Sequence, residues 1–168
     1  MRRYLSIAAA AAVTCCGADA EAPRFKLAES FDLSRVPADF RVGFSLLTAG
    51  ERQYVAYYDS RRRMTVASRN LGSGDWVYQV LPSKIGWDSH NYVTMAVDDR
   101  GDLHVSGNMH CVDLVYSLTE KPGDITPLRR LPMTGELEDR VTYPGVLKDQ
   151  ERSLIFNYRH GGSGKGVR

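Results

Sequence analysis

Apolar residues come along this chain in short bursts, and no window sustains the i, i+3, i+4, i+7 stripe of an amphipathic helix. Residues 41–47, 53–58, 64–68 and 76–81 are each rich in β-branched or aromatic side chains and bounded by Gly, Asp, Ser or Arg clusters. Runs of that length and make-up read as strands. Val93-Thr94-Met95-Ala96-Val97 alternates in the same way, and Leu103-His104-Val105 begins another. The pattern predicts an all-β protein.

The bursts also repeat. Gly74-Asp75-Trp76 to Leu81-Pro82 parallels Gly123-Asp124-Ile125 to Leu131-Pro132, with the closing prolines 50 positions apart. Leu103-His104-Val105 corresponds to Leu154-Ile155-Phe156, 51 positions on. The tight turn at 98–102 has its counterpart at 148–153. A period near 50 residues with about four short strands per unit is the signature of β-propeller blades. Residues 41–168 have room for two blades and part of a third, so an incomplete propeller domain, from a truncated product or a fragment, is expected. A small β-sandwich is the structural alternative.

The first 20 residues differ. Arg2 and Arg3 precede an alanine-rich apolar run at 4–13, and Ala18-Asp19-Ala20 closes the segment. A basic start, a short apolar stretch and an A-x-A site read as a cleaved export signal. Secretion or delivery to the periplasm follows; lipid attachment at Cys15 or Cys16 is the minor alternative. Residues 21–40 form a polar lead-in with two prolines.

Composition narrows the function classes. The chain is 43% apolar, 25% charged and 10% aromatic, as in ordinary globular proteins. Twenty-two basic against 20 acidic residues give +2, which predicts no nucleic-acid partner. Past the N-terminal segment no apolar run is long enough to span a membrane, and a monomer is expected. Cys111 is the one cysteine after residue 20; it pairs with no partner and is expected to be a small buried hydrophobe.

Chemistry concentrates in a few places. Trp87-Asp88-Ser89-His90-Asn91-Tyr92 is a polar loop at a strand start, where binding and catalytic groups gather. Ser106-Gly107-Asn108-Met109-His110 places a second histidine after a strand. His90 and His110 could form a metal pair, but no third ligand stands at a recognisable spacing, and neither metal nor cofactor is expected. His104 alternates with Leu103 and Val105 as a packed strand residue. Tyr143, before Pro144, is expected to be extended, and Arg159 ends a strand that opens into a glycine-rich loop beside His160.

These residue types suit one reaction. Cleaving a uronic-acid glycan by β-elimination needs a cation on the carboxylate, which Arg supplies in a bidentate fork. It needs a base for the C5 proton and an acid for the departing oxygen, jobs that His and Tyr can do. Hydrolysis would want two carboxylates flanking the bond, and Asp88, Asp98, Asp99 and Asp113 show no such pairing.

Tyr57-Tyr58-Asp59-Ser60-Arg61-Arg62-Arg63-Met64, Trp87-Asp88-Ser89-His90-Asn91, Gly107-Asn108-Met109-His110, Val141-Thr142-Tyr143-Pro144 and Tyr158-Arg159-His160-Gly161-Gly162-Ser163-Gly164 together resemble the BNR repeat-containing family. That family includes secreted seven-bladed propeller ulvan lyases, which depolymerise a sulfated uronic-acid polysaccharide. The resemblance implies that His90, Tyr143 and Arg159 are catalytic, with Arg159 neutralising the carboxylate. It leaves open which of His90 and Tyr143 is base and which acid. His110, Asn91, Asn108 and His160 are then expected to line the site of an anionic polysaccharide. A non-catalytic carbohydrate-binding propeller remains the alternative. A sialidase-like hydrolase is weaker: Ser73-Gly74-Asp75-Trp76 keeps only a trace of the S-x-D-x-G-x-x-W box, and no arginine triad is visible.

Overall fold

Each apolar burst forms a strand that pairs antiparallel with its neighbours. The computed structural model describes residues 25–39, 42–86 and 88–167 together with the backbone of 3–10. Strands β1 (Arg3–Ala10) and β2 (Leu27–Val36) form a two-stranded sheet. The first four-stranded sheet holds β3 (Ser45–Ala49), β4 (Arg52–Tyr58), β5 (Arg63–Asn70) and β6 (Val77–Lys84), in that order. Next in the chain come β7 (Val93–Val97), β8 (Leu103–Gly107), β9 (His110–Val112), β10 (Tyr116–Lys121) and β11 (Asp124–Arg130), then β12 (Val141–Lys148) and β13 (Leu154–His160). The second sheet runs β7-β8-β10-β11 and the third β9-β12-β13.

The expected blades are there: two of four strands, and three strands of another. The sequence repeat falls on equivalent strands, β6 with β11 and β8 with β13. Several strands are not foreseen, the three-residue β9 among them. β10 carries Ser, Thr, Glu and Lys between its apolar positions, and β2 runs through the stretch expected to be a lead-in. β1 pairs with β2 from within the expected export signal, while Cys15, Cys16 and the site at 18–20 lie outside the described residues.

Sheets bury faces by stacking. Tyr54, Ala56, Met64 and Val66 of the first blade share a core with Met95, Leu103, Val105 and Ile125 of the second, and Val141 of the third joins them. The other face of the first blade, Val55, Tyr57 and Ala67, is covered by Leu33 of β2 and Trp76. β4 is therefore buried on both faces, which is why residues 53–58 read as a continuous apolar run.

A buried cation ties β2 to this blade. The Arg69 side chain is only 3% exposed and lies 4.3 Å from the Phe31 ring centroid. It donates to Glu29 at 2.9 Å, Gln53 at 3.0 Å and the Ser73 carbonyl at 3.0 Å. Replacing Arg69 with Ala removes all of these and takes the Arg69 donor from buried Gln53 Oε1, and should cost about 3 kcal/mol in a denaturant titration. Glu29→Gln, at a half-exposed partner, should cost less than about 1 kcal/mol.

One turn recurs three times. At Asp98 and Asp149, which join the first two strands of successive blades, the Asp carboxylate caps backbone N–H groups two or four residues on, at 2.7–3.0 Å. Asp59 does the same between β4 and β5. The fourth residue of each turn is left-handed, at φ 89° for Gly101, 63° for Arg62 and 68° for Arg152. Glycine suits that position, and the two arginines there are strained.

The leading strands β3, β7 and β12 lie side by side and border a cavity of about 720 Å³ lined by Leu47, Met95 and Val146. Its mouth is formed by the turns after these strands. The residues singled out for chemistry lie at the opposite end, where β7 and β12 begin.

Candidate functional site

The loop from β6 to β7 is pinned at both ends. Buried Ile85 donates its N–H to the Arg62 carbonyl at 2.8 Å, and the Tyr58 hydroxyl donates to the Asn91 carbonyl at 2.7 Å. Between them Asp88 closes a tight turn: its carboxylate accepts the His90 backbone N–H at 2.9 Å, and its carbonyl accepts Asn91 N–H at 3.2 Å. Trp87 lies outside the described residues.

A three-residue strand brings in the second histidine. β9 leaves the second blade between β8 and β10 and pairs with β12 of the third, setting His110 opposite Thr142. On the far side of β12, Thr142 pairs with Arg159. His110, Thr142 and Arg159 thus form one row across three strands.

Tyr143 departs from expectation. It is left-handed at φ 60° rather than extended, because β12 bulges here: Tyr143 and Pro144 together oppose Tyr158. A bulge re-aims a side chain at the cost of local strain. Cys111 and Asn108, at φ 53° and 61°, are strained in the same way around the same spot.

The four expected active-site side chains meet. The His90 ring stacks on His110 at 4.3 Å between centroids and lies 5.4 Å from Tyr143. The Arg159 guanidinium sits 4.9 Å from the Tyr143 ring centroid. Both histidines direct Nδ1 at one carboxylate: His90 at Asp88 Oδ1 and His110 at Asp88 Oδ2. Asp88 is held ionised, its carboxyl lowered to about 2, first by the His90 backbone N–H and further by the two rings. A carboxylate on Nδ1–H fixes the tautomer and leaves Nε2 with its lone pair free.

Asp88 is the member of this cluster that the sequence does not single out. By sequence it is one of four aspartates without a placeable hydrolytic partner, and no third ligand is expected beside the histidines; in the structure its carboxylate meets both rings. The Asp-x-His spacing was the available signal, since an Asp two residues before a turn residue caps its N–H.

Arg159 is held along its stem and at its head. Nε donates to the Gly161 carbonyl at 3.1 Å and Nη2 reaches Cys111 Sγ at 3.8 Å, leaving the other N–H groups of the fork for a ligand. A Cβ on Gly166 would come within 2.7 Å of Arg159 Cγ, so the returning glycine-rich loop packs on the stem. Cys111 is not the buried hydrophobe expected. It is half-buried, and its thiol is pulled below its usual range by the Thr142 hydroxyl first and then by Arg159.

The remaining expected residues are placed differently. The Asn108 amide donates to Ser83 Oγ at 2.6 Å and the Lys84 carbonyl at 3.1 Å, bracing the loop from behind. Asn91 is buried, and its Oδ1 has no hydrogen-bond partner. His160 points to the other face of β13 from Arg159 and meets Asp139 at 2.9 Å. His104 is half-buried within β8 and bonds the Tyr116 hydroxyl at 2.9 Å.

Known proteins agree with this architecture. Residues 52–168 match the sequence profile of the BNR repeat-containing family. No curated protein matches the chain. A solved polysaccharide lyase described as a PL25 ulvan lyase superposes with TM-score 0.54 and 20% identity, over 69% of this chain and 31% of its own. The same description bound to -[GlcA(1-4)Rha3S]- gives 0.53 at 20% identity, over the same shares. The polysaccharide lyase Uly1 gives 0.60 at 16% identity, over 81% of this chain and 39% of its own. The chain therefore spans about a third of the length of these structures, and the likeness is one of fold: propeller-type sheets with no described helix long and apolar enough to cross a membrane.

Proposed function

The chain belongs to the BNR repeat-containing family, and from that premise we propose that it carries the active site of a secreted polysaccharide lyase acting on a sulfated, uronic-acid-containing glycan. The observation that carries the reading is the meeting of His90, Tyr143 and Arg159 from three separate segments, with ring and guanidinium centres 4.9–5.4 Å apart. Groups so close can act on one sugar residue.

In this reading Arg159 forks onto the uronate carboxylate and draws off its charge, which acidifies the C5 proton. His90 Nε2, left unprotonated because Asp88 holds the proton on Nδ1, takes that proton. The C5–H electrons form the C4–C5 double bond, the C4–O bond breaks, and the Tyr143 hydroxyl gives its proton to the leaving oxygen. His110 lies against His90 and contacts the sugar. Asp88 is the one carboxylate of the cluster, and both of its oxygens are engaged, which suits elimination better than hydrolysis. Export through the N-terminal segment would deliver the protein to such a substrate.

Incubation with ulvan, followed by ultraviolet absorbance of the unsaturated uronate, tests the proposal. Product should form, and Tyr143→Phe should slow it about 100-fold, the lower end of what a general acid contributes. Binding without product would make the protein a carbohydrate-binding propeller. New reducing ends without the absorbance would mean hydrolysis.

A further inference from the structure

Asp88, His90 and His110 support the proposed reaction as a base and its neighbours, yet the same three side chains form a ligand set. One donor atom from each lies within 4.8 Å of the other two. The stacked rings present both Nδ1 atoms to a single carboxylate. A neutral imidazole turns Nδ1 from donor to acceptor by moving its proton to Nε2. A cation can then stand where the two N–H groups now point.

The donor types select the ion. Two imidazoles and a carboxylate suit a borderline divalent metal rather than calcium or magnesium, which prefer oxygen. Three protein ligands with a solvent-facing fourth position is the form of an open zinc site. The three side chains are 30–38% exposed, so that position is accessible. They are also pre-placed. Ile85 and Asn91 pin the loop that carries Asp88 and His90, and the Cys111 N–H bonds Thr142 Oγ1 at 2.8 Å beside His110. Little ordering is left for the ion to impose.

We propose that Asp88, His90 and His110 bind Zn²⁺, and that the bound ion switches the catalytic site off. With zinc on Nδ1, the ring proton of His90 resides on Nε2, and the lone pair that accepts the substrate proton is gone. The binding part stands on geometry alone; the switching part rests on the lyase reading.

The two parts are tested separately on the full chain after stripping with a chelator. Calorimetric titration with Zn²⁺, and the visible absorption of Co²⁺ in its place, should show one ion per chain. Asp88→Asn and His110→Ala should each weaken binding at least tenfold, and His104→Ala, away from the cluster, should leave it unchanged. Stripped protein should form the unsaturated product from ulvan, stop as zinc fills the site, and recover with chelator. Absence of saturable binding, or equal binding by Asp88→Asn and His110→Ala, overturns the site. Product formation that ignores a filled site overturns the switch. Site-dependent binding by a stripped protein that makes no product supports the metal site and removes the lyase reading instead.

Discussion

Arg159→Ala should lower kcat/KM on a uronate glycan by about 10³-fold, the upper range for removing one group that stabilises developing charge. Deprotonating a carbon beside a carboxylate places further negative charge on a group that is already anionic, and the Arg159 guanidinium is held against the Tyr143 ring. Arg159→Lys should recover little of the loss. A lysine carries a single ammonium on a flexible stem and cannot hold both the Gly161 carbonyl and a carboxylate fork. A substrate whose uronate is methyl-esterified separates this role from packing. It has no charge to neutralise, so the variant should fall much less on the ester than on the acid. An equal fall on both would reduce Arg159 to a structural residue, and a loss under tenfold on the acid would remove it from the mechanism.

His90→Ala should lower kcat by about 10³-fold, within the range of a positioned general base, with KM changed only a few-fold. The ring has one edge held by Asp88 and stacks on His110, so its removal leaves a space the size of an imidazole. Added imidazole should therefore restore part of the rate, which a merely structural histidine would not show. His110→Ala should behave in the opposite sense, raising KM more than it lowers kcat. A His90→Ala variant within tenfold of the parent would transfer the base role to Tyr143.

Much of this was readable from the chain. Strands β4 to β7 and β13 fall where the β-branched and aromatic bursts lie, since side-chain alternation and burial act over a few residues. The repeat exposed β6 as the equivalent of β11. What escaped was whatever depends on a distant partner. β2 looks polar because one of its faces meets solvent while Leu33 reaches the first blade. β9 is three residues long and becomes a strand only because β12 lies beside it. Nothing in the sequence marks Arg69, which is a buried clamp through Glu29, 40 positions away.

The residues of the proposed active site divide in the same way. His90, His110, Tyr143 and Arg159 were nameable from residue type, motif and resemblance, whereas the shared carboxylate of Asp88, the left-handed turn at Tyr143 and the grip of Cys111 on Arg159 were not. The order of hairpins, the blade period and the inventory of chemical groups are local properties, written in alternation and turn residues. Convergence of residues 88, 90, 110, 143 and 159 is a property of register between blades. A bulge in β12 and a detour by β9 set that register, and each is stable only once the sheet on its other side exists to supply the hydrogen bonds.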